Sequence, residues 1–316
     1  MAFTLIRRFL KGIILQMPVL GVIIVVILLL VIVAYLYWRQ RYGMPADGIP
    51  PILLYHKVDP RFEWGGTRLP PKWFSAQLHT LKGLGYNTIL LEEMVELLSD
   101  NRSAPLRFLI TFDDAYQSLY QYALPVMEKL HYKCAIFVIS DYIGKSNRWD
   151  LSLSPGGFMH LNASQVREFD ALGHTVGAHT RTHRDLTRLS VAEAREEIVS
   201  SKCALEDLLG KEVRFFSYPF GRYNEVVREL VIEAGFAGAV ASYPKRRNSC
   251  QDIYALARRG IYLTDSLSTL KGKVMANNHI GYAFLDLSSR AINYFTSLTV
   301  TFQRIRDFNS IIKKDK

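Results

Sequence analysis

Two aspartates stand side by side at the end of an apolar run, and two histidines four positions apart follow a second such run. The aspartates are Asp113 and Asp114, and the histidines are His179 and His183. A catalytic zinc site takes three imidazole and carboxylate ligands from the protein and leaves one position open for water. Two histidines and one aspartate meet that count, and the other aspartate can accept a proton from the water. The residues therefore predict metal-assisted hydrolysis rather than a structural metal.

Backbone geometry decides whether these residues share a site. Neighbouring side chains of a strand point to opposite faces, so Asp113 and Asp114 meet only if the strand ends there and the backbone turns. The two carboxylates then have distinct roles, as metal ligand and as proton acceptor. His179 and His183 are expected on one face of a helical turn, with Cβ atoms about 5 to 6 Å apart. Taken singly, each pair is also typical of ordinary turns and loops.

The elements that position these residues follow an alternating pattern. Short apolar runs alternate with longer amphipathic ones, which is typical of parallel strands joined by crossover helices. We predict eight strands, at residues 52–56, 88–91, 108–112, 135–139, 175–178, 214–218, 238–241 and 259–263. Six helices are expected at residues 74–84, 91–98, 116–130, 163–172, 191–209 and 224–234. The predicted fold class is α/β, a distorted (β/α) barrel of seven to eight parallel strands, with its chemistry at the carboxyl ends of the strands.

A long uncharged segment precedes this pattern. Residues 19–38 are continuously apolar, enough to cross a hydrocarbon core of about 30 Å. We predict one uncleaved transmembrane helix, because the apolar stretch is longer than that of a signal peptide and no small-x-small cleavage site precedes Arg39. Positive charges favour the amino terminus inside and the body outside. The expected location is a single-pass membrane protein with its body extracytoplasmic, at the periplasmic face of the inner membrane or the cell surface.

The formal net charge of +10 does not indicate nucleic-acid binding, because of where the charge lies. Residues 1–41 carry +5 and residues 288–316 carry +4, which leaves about +1 for the body. A basic nucleic-acid groove in the body is therefore not expected. The three cysteines are odd in number and widely spaced, which supports neither a disulfide framework nor a zinc knuckle.

Three ordered motifs resemble those of the polysaccharide deacetylase (NodB-homology, carbohydrate esterase 4-like) family. They are Thr111-Phe112-Asp113-Asp114, His179-Thr180-Arg181-Thr182-His183 and Phe216-Ser217-Tyr218-Pro219-Phe220-Gly221. Residues 52–58 and 216–224 look closest to the branch that deacetylates poly-N-acetylglucosamine. The resemblance covers about residues 50–263, and three motifs in order are far more specific than one.

Carried over position by position, the resemblance implies a role for each motif residue. Asp114, His179 and His183 would bind the metal, and Asp113 would be the general base. The metal would be a divalent ion, with zinc expected and cobalt or nickel compatible with the same ligands. A backbone N–H near Phe220, together with Tyr218, would contact the oxyanion or the substrate, since the intervening proline has no N–H.

The chain departs from the family pattern at two places. The third motif usually has an arginine that orients the base, and this chain has Ser217 and Tyr218 there. Arg258 or Arg259 is the replacement candidate, at the start of the predicted last strand and dependent on the loop folding back. The family's late leucine-x-x-histidine motif is also missing, although the leaving amine needs an acid. His56 is the expected acid because the first strand adjoins the last in a closed barrel; it could instead be a packing histidine.

These features predict a three-part chain and a hydrolytic function. Residues 1–45 would hold a cytoplasmic stub, the anchor and a linker, 46–280 the deacetylase domain, and 281–316 a basic, partly amphipathic extension. The expected reaction is metal-dependent N-deacetylation of an extracytoplasmic poly-N-acetylglucosamine-like polysaccharide of the cell envelope. Expected partners are that polymer, the membrane and polysaccharide synthesis or export machinery. The alternatives are a peptidoglycan or chito-oligosaccharide deacetylase, and a catalytically silent glycan-binding module of an export complex.

Overall fold

The computed structural model describes residues 19–42, 49–63, 66–147, 157–242 and 252–275. The chain divides into two compact units, Met1–Met44 and Pro45–Lys316. In the first unit the described element is helix α1, Val19–Tyr42. A search of the described helices for one long and apolar enough to cross a membrane finds none. The transmembrane anchor is therefore not supported by the described helices and stays a prediction. The expected extension at 281–316 lies outside the described residues.

The second unit is an alternating α/β structure. Its strands are β1 (Ile52–Tyr55), β2 (Lys57–Val58), β3 (Arg68–Leu69), β4 (Asn87–Thr88), β5 (Arg107–Phe112), β6 (Cys134–Val138), β7 (Thr175–Ala178), β8 (Phe215–Ser217), β9 (Gly238–Ala241) and β10 (Leu256–Gly260). Its helices are α2 (Pro71–Gly83), α3 (Leu91–Ser99), α4 (Leu124–Leu130), α5 (Ala163–Ala171), α6 (Val191–Leu209), α7 (Glu225–Glu233) and α8 (Leu267–Met275).

Seven parallel strands close into a barrel. The ring runs β1-β5-β6-β7-β8-β9-β10, and β10 returns to pair with β1. The short β4 pairs with Arg107 and Phe108 at the start of β5. From Leu109 onward β5 pairs with β1 instead. In such a barrel the crossover helices cover the outer face of the strands and side chains fill the interior. The strands can therefore be buried on both faces, as the all-buried β6 shows. The predicted parallel (β/α) barrel is confirmed.

The barrel interior is filled by every second residue of the ring strands. One apolar cluster contains Leu109 of β5, Phe137 of β6, Phe215 of β8 and Leu256 of β10. Side chains two positions further along a strand point the same way. Asp113, Ser217 and Arg258 stand two or four positions beyond members of this cluster, so the fold directs them into the barrel toward its carboxyl end.

Two predicted elements differ from those observed. The last strand is Leu256–Gly260 rather than 259–263, because its pairing with β9 begins at Leu256 and its pairing with β1 ends at Gly260. The helix predicted over 116–130 is present over residues 117–130, but its segment Leu119–Ala123, which precedes α4, is a π-helix. Pro125 near the start of α4 cannot donate to the preceding turn, which is the usual cause of such a break.

His174 gives the fold a pH dependence at the amino end of the barrel, away from the aspartates. Its Nδ1 accepts from the backbone N–H of Cys134 at 3.1 Å, and burial lowers its pKa from 6.5 to about 4. At this position the unfolded chain therefore binds a proton more readily than the folded chain. The contribution of neutral His174 to the free energy of unfolding is complete above pH 6.5 and is lost as the pH falls toward 4. We expect a loss of up to about 3 kcal/mol of unfolding free energy over that window.

Urea unfolding at steps between pH 4 and pH 7 measures the effect in wild type and in His174→Gln. The variant cannot titrate at this position, so its stability should depend less steeply on pH. Equal slopes in the two proteins would show that His174 does not contribute.

Candidate active site

The turn after β5 brings the two aspartates to one site. The backbone N–H of Asp113 still donates to the carbonyl of Tyr55 at 3.1 Å, as a strand residue would. Asp114 and Ala115 then adopt positive φ angles of 68° and 50°. For non-glycine residues this conformation costs roughly 1–3 kcal/mol each and is concentrated at functional sites. The strand end and turn that the sequence required are both present.

The two histidines lie in a loop rather than on a helical turn. His179 follows β7 directly, and both Thr180 and His183 have positive φ angles, 63° and 61°. The rings nevertheless meet, with centroids 4.8 Å apart and planes at 68°. The predicted helical turn is therefore wrong, although the spacing correctly anticipated that both imidazoles reach one place.

Three side chains form a candidate metal centre. Oδ1 of Asp114 is 3.6 Å from Nε2 of His179 and 3.5 Å from Nε2 of His183. One ligand atom from each of the three residues lies within 4.8 Å of the others, and all three are buried. This donor set of two imidazoles and one carboxylate is the one that catalytic zinc sites use.

The protonation of the imidazoles also fits a metal. Nδ1 of His179 lies 2.7 Å from the carbonyl oxygen of Ser217. A carbonyl only accepts, so Nδ1 carries the proton and Nε2 presents its lone pair. Burial lowers the pKa of His179 and moves that of His183 well below its ordinary value. Both rings are neutral at pH 7, which is the form that binds metal.

Asp113 is held by Arg258 and Ser217. The guanidinium donates from Nη1 to Oδ1 and from Nη2 to Oδ2, both at 2.7 Å. The Ser217 hydroxyl donates to Oδ1 at 3.0 Å and accepts from Nη2 of Arg258 at 3.0 Å. Burial raises the pKa of Asp113, but the charge of Arg258 and its hydrogen bonds outweigh this effect, and the net pKa lies below its ordinary value. Asp113 is therefore a carboxylate, able to accept a proton.

Arg258 reaches the site from within β10. It is the central residue of that strand and pairs with Ile52 of the adjacent strand β1. The expectation that it starts the strand and needs a folded-back loop is corrected, since the strand lies three residues earlier than predicted. Arg259 points elsewhere, with its guanidinium contacting the carbonyl of Lys273.

His56 lies directly after β1, half-buried at the carboxyl end of the barrel. Its Nδ1 is buried and has no hydrogen-bond partner among the described residues. Burial lowers its pKa to about 4, against the opposing effect of the Asp113 charge. The charge of Asp113 therefore acts on the His56 ring. At pH 7 this ring is neutral in the free protein.

Phe220 and Tyr218 differ in their access to the site. Phe220 forms the turn Pro219–Gly221 with φ 59°, and its ring lies 4.7 Å from the ring of His183. Tyr218 is buried; its N–H donates to the carbonyl of Val240 and its hydroxyl to the carbonyl of Tyr254. The structure thus brings Phe220 to the metal centre but places the Tyr218 side chain in the core, which corrects its expected contact with substrate.

His160 supports Asp114 and was not anticipated from the sequence. Its Nδ1 lies 2.6 Å from the backbone carbonyl of Asp114 and, since a carbonyl only accepts, donates to it. The ring stacks on Tyr116 at 4.8 Å. His160 therefore holds the positive-φ residue that supplies the carboxylate ligand. An isolated histidine in a loop carries no sequence signal of such a role.

Glu197 of α6 supports the histidine loop in the same way. Its two carboxylate oxygens accept from the N–H of Thr182 at 2.8 Å and from its hydroxyl at 2.5 Å. Its backbone carbonyl accepts from the N–H of Arg181 at 3.1 Å. Glu197 is buried, so these bonds are shielded from water. The residue fixes the loop between the two histidine ligands.

We expect Glu197→Ala to weaken metal binding by about 10- to 100-fold, the usual effect of removing a partner that orients metal ligands. The measurement is competition for zinc against a chromophoric chelator. Glu196→Ala is the matched control, because Glu196 is exposed and its carboxylate pairs with the Arg181 guanidinium in the same loop. Equal affinity in the Glu197 variant and the control would contradict the assignment.

Comparison with known proteins agrees with this site. The family model for polysaccharide deacetylase matches residues 101–239. The Bacillus subtilis (strain 168) protein YxkH, provisionally named a polysaccharide deacetylase, is 31% identical over 209 residues, covering 66% of this chain and 70% of that protein.

Two further comparisons have lower sequence identity. The poly-beta-1,6-N-acetyl-D-glucosamine N-deacetylase of Staphylococcus epidermidis is 26% identical over 161 residues, covering 48% of this chain and 53% of that protein. The structure of IcaB from Ammonifex degensii has a TM-score of 0.63 at 24% identity, covering 73% of this chain and 98% of IcaB. That likeness supports the barrel fold. On the identity and extent of the match to YxkH, this chain belongs to the polysaccharide deacetylase family.

Proposed function

We propose that this protein removes N-acetyl groups by hydrolysis from a poly-N-acetylglucosamine-like polysaccharide, with a divalent metal as cofactor. One observation carries the proposal: a buried two-histidine, one-aspartate centre stands beside a second aspartate that is paired with arginine. The polymer is proposed from the likeness to the Staphylococcus epidermidis enzyme, which is named for poly-beta-1,6-N-acetyl-D-glucosamine.

Bound by Asp114, His179 and His183, a divalent ion would supply the Lewis acidity that polarises an amide carbonyl and acidifies water. Zinc is the proposed ion, and cobalt or nickel accept the same ligands. The buried carboxylate and neutral imidazoles fit such an ion without any change of protonation.

Asp113 acts as the general base. It is ionised, and the two bonds from Arg258 fix its orientation. Each carboxylate oxygen has two lone pairs and, among the described residues, Oδ2 accepts from Arg258 alone, which leaves a lone pair for the proton of the attacking water. The Ser217 hydroxyl adds a third donor to the same carboxylate. The oxygen that becomes negative is stabilised by the backbone N–H of Phe220, the first N–H of its turn because Pro219 has none.

His56 supplies the proton to the leaving amine. Its pKa of about 4 keeps the ring neutral before reaction, so the proton must arrive during turnover. The proton that Asp113 takes from water is the available source. Once Asp113 releases this proton its negative charge is restored, and that charge raises the pKa of His56 and so favours the protonated ring. The net result is transfer of one water proton to the amine nitrogen and of hydroxide to the acetyl carbon.

Acetate release from a panel of glycans tests the proposal. The panel contains β-1,6-linked and β-1,4-linked N-acetylglucosamine oligomers and peptidoglycan fragments, each with and without a chelator. Release from the β-1,6-linked oligomers that stops with chelator and returns with zinc supports the proposal. Release from peptidoglycan or β-1,4 oligomers alone would reassign the polymer, and no release from any glycan would overturn the activity. The catalytically silent alternative is not favoured, because all three ligands and the base are in place.

The proposed location is the extracytoplasmic side of a membrane, where polysaccharide synthesis or export machinery would be the neighbour. The support is the uncharged, continuously apolar run over residues 19–38 and the positive charges before it. Reporter fusions at the carboxyl terminus, with one reporter active only in the cytoplasm and one only outside it, distinguish the two orientations. Activity of the cytoplasmic reporter would contradict the proposed location.

A further inference from the structure

The turn that carries the proposed oxyanion donor has a strained backbone. It is the segment Pro219–Gly221 after β8, which we call the oxyanion turn, and Phe220 within it has φ 59°. A non-glycine residue keeps this conformation only where the surrounding structure holds it. The N–H of Gly221 donates to the carbonyl of Tyr218 at 2.8 Å, which closes the turn but does not fix its place in the barrel. Contacts with other loops must therefore hold the Phe220 N–H in position.

The residue after β9 supports one side of the oxyanion turn. A Cβ placed on Gly221 would lie 2.2 Å from Oγ of Ser242 and 2.6 Å from its backbone nitrogen. Gly221 also has a positive φ of 64°, so glycine is required there both for its conformation and for this close approach. Ser242 is buried and directly follows the last residue of β9. This side of the turn therefore rests on the backbone at the end of a barrel strand.

An ion pair connects the other side of the turn to the loop of the histidine ligands. Arg222, the residue after the turn, donates from Nη1 to Oδ2 of Asp185 at 3.1 Å. Asp185 is buried and lies two residues beyond the candidate ligand His183. Its Oδ1 accepts from the N–H and the hydroxyl of Thr187, at 3.2 and 2.6 Å. The carboxylate thus has a fixed orientation, unlike those of most exposed ion pairs, which contribute little.

The contacts form a closed circuit beside the metal centre. The Arg222 guanidinium lies 5.8 Å from the centroid of the Phe220 ring, and that ring lies 4.7 Å from the ring of His183. The chain from His183 to Asp185 completes the circuit, since Asp185 pairs with Arg222. The circuit therefore sets the distance between a metal ligand and the Phe220 N–H. Oxyanion donors are effective only when they are held in advance at the place where the charge develops.

We infer that Arg222 and Asp185 are positioning residues for deacetylation, and that their ion pair holds the Phe220 N–H where the negative oxygen forms. The inference rests on the proposed function for the reaction that the donor serves. An interaction that strengthens in the transition state raises kcat and leaves KM nearly unchanged. Loss of the ion pair should therefore lower kcat rather than weaken the binding of substrate.

Variants of the full chain test the inference. Arg222→Met removes the guanidinium, and Asp185→Asn removes the charge but keeps an oxygen that can accept from Thr187. Arg188→Met is the matched control, because Nε of Arg188 lies 3.5 Å from the same Oδ2 of Asp185 but the residue belongs to the histidine loop and not to the oxyanion turn. The measurements are kcat and KM for acetate release from N-acetylglucosamine oligomers, and zinc content of the same preparations.

We expect kcat to fall by about 10- to 100-fold in Arg222→Met and in Asp185→Asn, because a displaced donor loses part of what a deleted one would. KM and zinc content should stay as in wild type, and Arg188→Met should match wild type throughout. Wild-type kcat in both test variants would overturn the inference. So would a loss of zinc in step with kcat, since the pair would then hold the metal ligand and not the donor.

The double variant and a conservative variant sharpen the result. Arg222→Met combined with Asp185→Asn should lower kcat no further than the more affected single variant, because both changes break the same ion pair. Independent, multiplying effects would contradict the inference. Arg222→Lys keeps a cation and should recover part of kcat. It carries the test together with Asp185→Asn if Arg222→Met does not fold.

An NMR measurement observes the donor itself and requires no turnover. The full chain in detergent micelles is labelled isotopically at its phenylalanine nitrogens, and the Phe220 N–H signal is identified by its absence from Phe220→Tyr. We expect a backbone order parameter of about 0.85 in wild type and Arg188→Met, and below about 0.6 in Arg222→Met and Asp185→Asn.

This measurement separates failure of the inference from failure of the proposed function. The expected loss of order in both test variants supports the positioning role even when no glycan releases acetate. An equally ordered Phe220 N–H in all four proteins would overturn the inference and leave the deacetylase function intact.

Discussion

Replacing Asp113 by asparagine is expected to lower kcat for deacetylation by about 10²- to 10⁴-fold, the usual contribution of a general base. Asparagine has nearly the same shape and keeps an oxygen that can accept from Ser217 or Arg258, but it cannot accept a proton from water. Because Asp114, His179 and His183 are unchanged, the variant should retain its metal. The measurements are single-turnover acetate release and metal content by mass spectrometry on the same preparation.

Asp114→Asn is the matched control, since it makes the same chemical change one residue along. It removes a charged metal ligand, so metal content and activity should fall together. An Asp113→Asn protein that loses its metal, or that keeps wild-type activity, would contradict the assigned roles. Thermal unfolding of both variants shows whether either result reflects misfolding.

The second large effect is expected from Arg258→Met. Burial raises the pKa of Asp113, and Arg258 is the foremost group that lowers it. Without the guanidinium the pKa of Asp113 should rise. Activity needs the ionised carboxylate, so it is present above this pKa and lost below it. The acidic limb of the kcat/KM profile should therefore move to higher pH, a result that a purely structural defect does not produce.

Arg258→Met should also destabilise the fold by about 3–5 kcal/mol, because it leaves one member of a buried ion pair without its partner. Arg258→Lys keeps the charge but cannot make both bonds to Asp113, so it should fall between wild type and Arg258→Met in pH profile and stability. Arg259→Met is the control, as Arg259 contacts a carbonyl outside the site. An acidic limb at the same pH in wild type and Arg258→Met would refute the role.

The barrel was predictable because its signal is local. Most ring strands are short runs buried on both faces, such as β1, β6 and β7. The helices between them have apolar stripes at helical spacing, so the alternation can be recognised without knowing any contact. The carboxyl-end position of His56, Asp113 and His179 then follows from the parallel direction of the strands.

Predictions failed where a local signal was absent or pointed the wrong way. The adjacent arginines of β10 are a polar pair in sequence, yet one of them is among the most deeply buried charges of the described chain because Asp113 neutralises it across the ring. Tyr218 stands in the third motif, where a contact with substrate was expected. Its side chain packs into the core instead, and its hydroxyl donates to the carbonyl of Tyr254. Glu197 lies 15 residues from Thr182, and His160 lies 46 residues from Asp114. Both contacts join residues of different elements, so no motif spacing reveals them.

The sequence by itself determined the type of chemistry and its main residues. Two imidazoles and two carboxylates at strand ends are enough to predict a metal-assisted hydrolytic site, since side-chain identity sets ligand preference and proton affinity. Only the tertiary structure decided which groups make that site work: ring closure sets β10 beside β1, and this places Arg258 against Asp113 across 145 residues of chain. The physical reason is that ligand chemistry belongs to individual residues, whereas orientation and charge balance arise from contacts that exist only once the barrel has closed.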